Sequence, residues 1–111
     1  MKTVMKYHKI TSAEVNNEVE LFRASEIIAD DRLLKAVFIV NGSANNALVS
    51  CYIKSDNNYN LIPVNSEVIA GNRMAILQKG LIFNDNDIVC IKSNQVNVEF
   101  SLDLTYDNEV D

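Results

Sequence analysis

Histidine is the side chain best placed to move a proton near neutral pH, and this chain holds one, His8, with Lys6 and Lys9 close by. A Ser-His or Cys-His pair would have to use His8 with Cys51, Cys90 or a serine. No Gly-x-Ser-x-Gly elbow is present to expose a serine, so His8 reads as an ordinary half-exposed strand residue. Asp56, and separately Asp85 with Asp87, lie in stretches rich in oxygen ligands that suit calcium. Neither follows the spacing of a calcium-binding helix-loop-helix, and no glutamate closes the loop. Turn formation accounts for them. Glu14, Glu18, Glu20 and Glu26 offer carboxylates, but no spacing favours a pair for glycoside cleavage, and no tryptophan exists to line a sugar site. Tyr7, Tyr52, Tyr59 and Tyr106 are scattered and read as core and rim residues. Phosphate-cradling glycine loops are absent. The expectation is a chain with no catalytic residues, no cofactor and no metal.

Cys51 and Cys90 stand far apart and in no metal-type spacing; they could pair as one disulfide, but the favoured reading is two small apolar strand residues, with Cys90 facing away from the core. Asn41-Gly42-Ser43 has the form of a glycosylation sequon and is better read as a hairpin turn.

The elements that would position these residues are short strands separated by turn clusters. Thr3 to Ile10 alternates, and Val19 to Arg23 is a second apolar run. Leu33 to Val40 is apolar on both parities apart from Lys35, which predicts a strand buried on both faces. Ala47 to Lys54 puts Val49, Cys51 and Ile53 on one face. Tyr59 to Ile62, Met74 to Leu77, Leu81 to Phe83 and Ile88 to Lys92 follow as further strands. The last is the clearest: Val96, Val98, Phe100, Leu102, Leu104 and Tyr106 share one parity, opposed by polar residues. Helical pattern is limited to a start at Ser12 to Val15 and about two turns over Ala24 to Arg32, both too short to form a layer. Eight or nine strands predict an all-β chain, a single antiparallel sandwich of jelly-roll or Ig-like type over residues 1–106. An acidic flexible tail over 107–111 completes it.

With 111 residues, the chain has room for one domain, and 48% apolar residues supply its core. A net charge of -5 and a pI near 4.7 argue against a nucleic-acid partner or an anionic membrane surface. No apolar run reaches transmembrane length, and Lys2, Lys6 and Lys9 interrupt any signal-peptide region at the amino end. Asparagine is about one residue in seven, against three glycines, which predicts asparagines in turns where left-handed backbone is needed.

The second half of the chain resembles small β-sandwich proteins of tailed bacteriophage particles. Leu33 to Asn41 is similar to that family's strand ending in Asn, with Lys35 where lysine is frequent. Ala47 to Ile53 resembles its Val-rich strand, and Tyr59-Asn60-Leu61 its Tyr-x-Leu step. Val68-Ile69-Ala70-Gly71 resembles Val-Pro-Ala-Gly, with Ile69 for proline. Leu81 to Asp87 resembles the Leu-x-Leu-x-x-Gly-Asp turn, with Asn86 for glycine, a mild change because asparagine also visits left-handed backbone. Upstream, Val19 to Phe22 resembles the strand that precedes the family's core. The resemblance brings no catalytic residue. It implies a virion component, a multi-copy subunit decorating or joining head, collar, neck or tail, made in a bacterial host cytoplasm.

The function expected on these grounds is structural, with coat, portal, neck or tail subunits as partners and self-association into a homo-oligomer. Candidate contact loops are Asn41, Gly42, Ser43 and Asn45; Asp56, Asn57 and Asn58; and Asn84, Asp85, Asn86 and Asp87. The segment Met1 to Asn17 either adds a strand to a neighbouring subunit or forms the first strand of its own sheet, the latter being favoured. The alternatives are a small module binding host-surface carbohydrate and an acidic phage-encoded inhibitor of a host protein.

Overall fold

The computed structural model describes residues 2–26, 31–54, 60–82, 84 and 86–107. Eight strands form: β1 (Lys2–Lys9), β2 (Val19–Arg23), β3 (Asp31–Asn41), β4 (Ala47–Lys54), β5 (Asn60–Ile69), β6 (Met74–Ile82), β7 (Ile88–Ser93) and β8 (Val98–Asp107). They build two four-stranded sheets, one in the order β1-β8-β3-β6 and the other β2-β7-β4-β5. Every pair is antiparallel. Strand β1 pairs with β8, β2 with β7, β3 with β6 and β4 with β5. The chain is therefore one long hairpin, tipped at β4–β5 and rolled so that every connection between successive strands except β4–β5 changes sheets. That is the jelly-roll arrangement. An Ig-like sandwich would divide its strands differently, so that half of the expected alternative falls away.

Inner faces of the two sheets supply the core. On β8, Val98, Phe100, Leu102 and Leu104 are buried, as their period of two requires. Ala47, Val49, Cys51 and Ile53 face them from β4, and Val89 and Ile91 from β7. Phe22 of β2 and Phe100 are the largest side chains fully enclosed. Removing either ring would cost about 3–5 kcal/mol through lost burial and the cavity left behind. At the β1/β2 margin Lys6 lays its stem inward, with Nζ 5.4 Å from the Phe22 ring centre and 3.7 Å from Glu26.

Several local expectations change. At the two ends of the helical stretch expected over Ala24 to Arg32, residues Ala24–Glu26 make a single 3₁₀ turn and strand β3 begins at Asp31; residues 27–30 lie outside the described residues. β-pairing of Asp31 and Arg32 with Asp107 and Tyr106 outweighs weak helical propensity in so short a segment. The Ser12 to Val15 start likewise goes no further than tight turns closed by Glu14 N–H to Thr11 O and Asn17 N–H to Glu14 O. Met74 to Leu77 and Leu81 to Phe83 belong to one strand up to Ile82, because β3 pairs along its length. The last strand starts at Val98, two residues later than its alternation suggests, since Asn97 turns left-handed at φ 64. It runs through Asp107, which takes that residue out of the expected tail; residues 108–111 lie outside the described residues.

Strand β3 departs furthest from its reading. A bulge between Leu34 and Ala36, against both β6 and β8, resets its phase at the exposed Lys35. Leu34, Val37 and Ile39 then face the core, while Phe38 and Val40 point outward and remain half-buried. A two-layer sandwich covers only one face of each sheet. Among the described residues no layer covers the strand's second apolar face.

Candidate interaction surfaces

The expected contact loops divide between the two ends of the sandwich. Residues 42–46 join β3 to β4 at the end that also holds the β5–β6 turn and the β7–β8 turn. Asn41 lies beneath this end, fully buried. Its Nδ2 donates to Asn45 O at 2.7 Å and Ile69 O at 2.9 Å. Its Oδ1 accepts from Ser43 N at 3.0 Å and Ser43 Oγ at 2.7 Å. All four hydrogen-bonding positions of the amide are filled, so Asn41 shapes the loop from inside while Gly42 and Asn45 are exposed. Gly42 and Gly71 are fixed by close approach. A Cβ at Gly42 would lie 2.8 Å from Asn97 O, and one at Gly71 would lie 2.4 Å from Ala44 O. Asparagines take the left-handed positions, at Asn16, Asn72 and Asn97, as the composition predicts; Ser66 is the fourth non-glycine residue with positive φ among those described.

At the opposite end, Asn84 and Asn86 are exposed and Asp87 is buried. Asp87 Oδ2 accepts from Asn84 N at 2.8 Å, its N–H donates to Asn84 O, and its carbonyl accepts from Ala24 N–H. This carboxylate is spent on its own turn. Asp56, Asn57, Asn58 and Asp85 lie outside the described residues.

His8 Nε2 stands 2.9 Å from both Glu14 oxygens, and Thr11 N–H and Oγ1 donate to Glu14 Oε1. The Thr11 amide first, then His8, hold the Glu14 carboxyl below its ordinary value. The two cysteines sit on the other sheet and are both free thiols. Cys51 faces the core on β4; Cys90 faces the opposite way on β7, opposite Tyr52 in the register, which keeps the sulfurs on different faces. Burial pushes the Cys51 thiol up to about 12 and the Cys90 thiol up to about 11.

One cluster escapes the sequence reading. On the outer face of β2-β7-β4-β5 an open groove of about 590 Å³ is lined by Asn16, Glu18, Ser50, Tyr52, Lys54 and Lys92, among others. Glu18 accepts hydrogen bonds from the Tyr52 hydroxyl and from Lys54 Nζ, the latter at 2.8 Å. The Lys54 ammonium, then Tyr52, hold Glu18 low, while burial and then Glu18 drive the Tyr52 phenol upward. These partners lie 34 and 36 residues apart, so nothing local in the sequence joins them. They satisfy one another and leave Lys92 as the groove's cation without an ion-pair partner among the described residues.

The outer face of β1-β8-β3-β6 is different in kind. Met5 and Tyr7 on β1 are 56% and 58% exposed, and Met74 and Ile76 on β6 are 58% and 51% exposed. In the register Val40 pairs with Met74 and Phe38 with Ile76, which makes one continuous apolar strip on β3 and β6. Between that strip and β1 runs the polar outer row of β8, including Glu99, Ser101 and Asp103. Tyr7 donates its hydroxyl to Glu99 across this boundary. Round the β5/β6 margin an apolar cleft of about 270 Å³, lined by Ile39, Val64, Ile69 and Ala75, connects Ile76 with Val68. Val68 is itself 65% exposed.

No family model and no curated protein sequence matches the chain. Solved structures do. A Drosophila NLP-core, described for its pentamer formation and histone binding, superposes with a TM-score of 0.60 at 10% identity, over 97% of this chain and 100% of that one. A chain of the T13 particle of infectious bursal disease virus superposes with a TM-score of 0.54 at 11% identity. That match covers 95% of this chain and 31% of the viral one, so the present chain spans about a third of the viral chain's length. At these identities the likeness is one of fold: this jelly roll is similar to a domain of a viral capsid and to the core of a histone-binding pentamer.

Proposed function

We propose that this protein is a non-enzymatic structural subunit of a virus particle, present in many copies and bound through its outer faces and loop ends. The observation that carries the reading is the rolled hairpin itself, β1-β8-β3-β6 over β2-β7-β4-β5, which superposes over 95% of the chain on part of a viral particle protein with a TM-score of 0.54. The resemblance of the second half to small sandwich proteins of tailed phages supports taking the particle to be of that class, with the chain as a subunit decorating or joining head, collar or tail. Apolar side chains left outside a completed core support an assembling protein over a solitary one. Quantitative mass spectrometry of purified particles tests this: a copy number that is a multiple of a particle symmetry is expected, and absence from the particles overturns the role.

A second reading is favoured by the NLP-core match, which covers 97% of this chain and 100% of that one, together with the net charge of -5. In it the chain is a free acidic oligomer that binds a basic protein. Binding to a basic protein such as histone, strongly weakened between 50 and 300 mM salt and accompanied by absence from particles, would select it.

A further inference from the structure

We propose that copies of this chain associate head to tail, with the Met5/Tyr7 strip of β1 seated on the Phe38/Val40/Met74/Ile76 strip of the next copy. The inference rests on the proposed role as a repeated subunit and names the surface that the repetition uses. Four large apolar side chains, each more than half exposed, lie on one sheet face, although the core is already complete without them. They fall into two strips at the sheet's opposite edges, on β1 and β6, three strand spacings or about 14 Å apart.

That separation selects the geometry. A two-fold axis across the strands, or one along them that centres β1 over the partner's β3/β6 strip, brings the two β8 rows onto each other and sets Glu99 and Asp103 against carboxylates of the partner. Like charges opposed across a contact disfavour both. A head-to-tail contact joins one strip to the other and leaves the carboxylate row at the margin. Among the described side chains, the exposed Lys9 and Lys35 offset Glu99 and Asp103 on this face, which lessens the repulsion between copies of an acidic protein. With large side chains of roughly 150–250 Å² half exposed, one such contact would cover about 400–500 Å² of apolar surface from two copies. At the usual apolar share of about 57%, that corresponds to roughly 700–880 Å² in total, the size of a weak contact rather than of a stable pairwise interface. Such a contact is weak alone and firm when a closed ring gives every copy two of them.

The test uses the full chain and two variants, Met5→Lys/Tyr7→Lys and Met74→Lys/Ile76→Lys, with circular dichroism melting to confirm that each folds. Sedimentation velocity from about 1 to 200 μM should show wild type passing from monomer to a species larger than a dimer. Each variant alone should stay monomeric. An equimolar mixture should form a one-to-one dimer, because each variant keeps the strip that the other lacks. A monomeric wild type overturns the proposal, as does an oligomer that both variants leave intact, or variants that fail to complement. If either double variant melts well below wild type, the serine pairs at the same positions replace it in the same mixture. Particle mass spectrometry stands apart: a chain counted in particles whose oligomer ignores both strips keeps the structural role and loses this surface.

Discussion

Asn41 shows how a polar residue at a turn can be structural without being a contact. Its amide has two donors and an acceptor engaged inside the protein, and the groups it meets are backbone carbonyls and the N–H and hydroxyl of Ser43. Asn41→Ala leaves several of these buried and unpaired, which should cost roughly 2–4 kcal/mol. Urea denaturation should show the midpoint falling with little change in slope, and an unchanged midpoint would remove Asn41 from the loop's support. The thiols make a second residue-scale prediction. Cys51 faces the core and Cys90 is enclosed beside Tyr52, both with raised thiol pKa values. At pH 8 neither should react with a disulfide reagent in the native protein within minutes, and both should react at once in denaturant. Fast native labelling of one thiol would show that its cover opens.

At the scale of elements, turns decide where strands stop. Asn97 carries a positive φ while its carbonyl accepts from Gly42 N–H and its own N–H donates to Ile10 O, so one residue ties three strand ends together. Asn97→Gly should be close to neutral, because glycine adopts this backbone freely. Asn97→Val should lose about 1–2 kcal/mol, since a β-branched residue meets the left-handed penalty in full. Thermal melts of the two variants decide it: equal losses would mean that the side chain matters more than the backbone. The bulge at Lys35 works in the same way on β3, and no single-parity pattern in Leu33 to Val40 could announce it. Its effect is to turn Phe38 and Val40 outward, to where the β6 side chains join them.

For the whole molecule, acid is the informative variable. Glu14 is held low by the Thr11 amide and His8, and Glu18 by Lys54 and Tyr52. A carboxyl with a folded-state pKa below its unfolded one binds protons more readily when unfolded. Its contribution is complete above the unfolded value, near pH ~4.3, and disappears as pH falls through the folded one. Stability should therefore be flat with respect to these groups between pH 6 and 5 and decline below ~4.3. A Glu14→Gln/Glu18→Gln variant should start lower at pH 6 and decline less steeply, as read by denaturation midpoints across pH. An equally steep decline would place the acid sensitivity elsewhere.

The alternation of Val98 to Leu104, the single face of Val49, Cys51 and Ile53, and the abundance of asparagine determined an all-β sandwich with asparagine-built turns. Those features are local, written within a few residues of one another, and the backbone period of two translates them directly into faces. The helical pattern of Ala24 to Arg32 does not extend to Asp31 and Arg32, where pairing with β8 outweighs a weak local preference. Only the tertiary structure decided how the sheets divide and which ends the loops share. It alone joined Glu18 to Tyr52 and Lys54, and set Met5 and Tyr7 on the same face as Met74 and Ile76. Each of those facts depends on strands tens of residues apart meeting at a particular register, and a sequence pattern carries face but not partner.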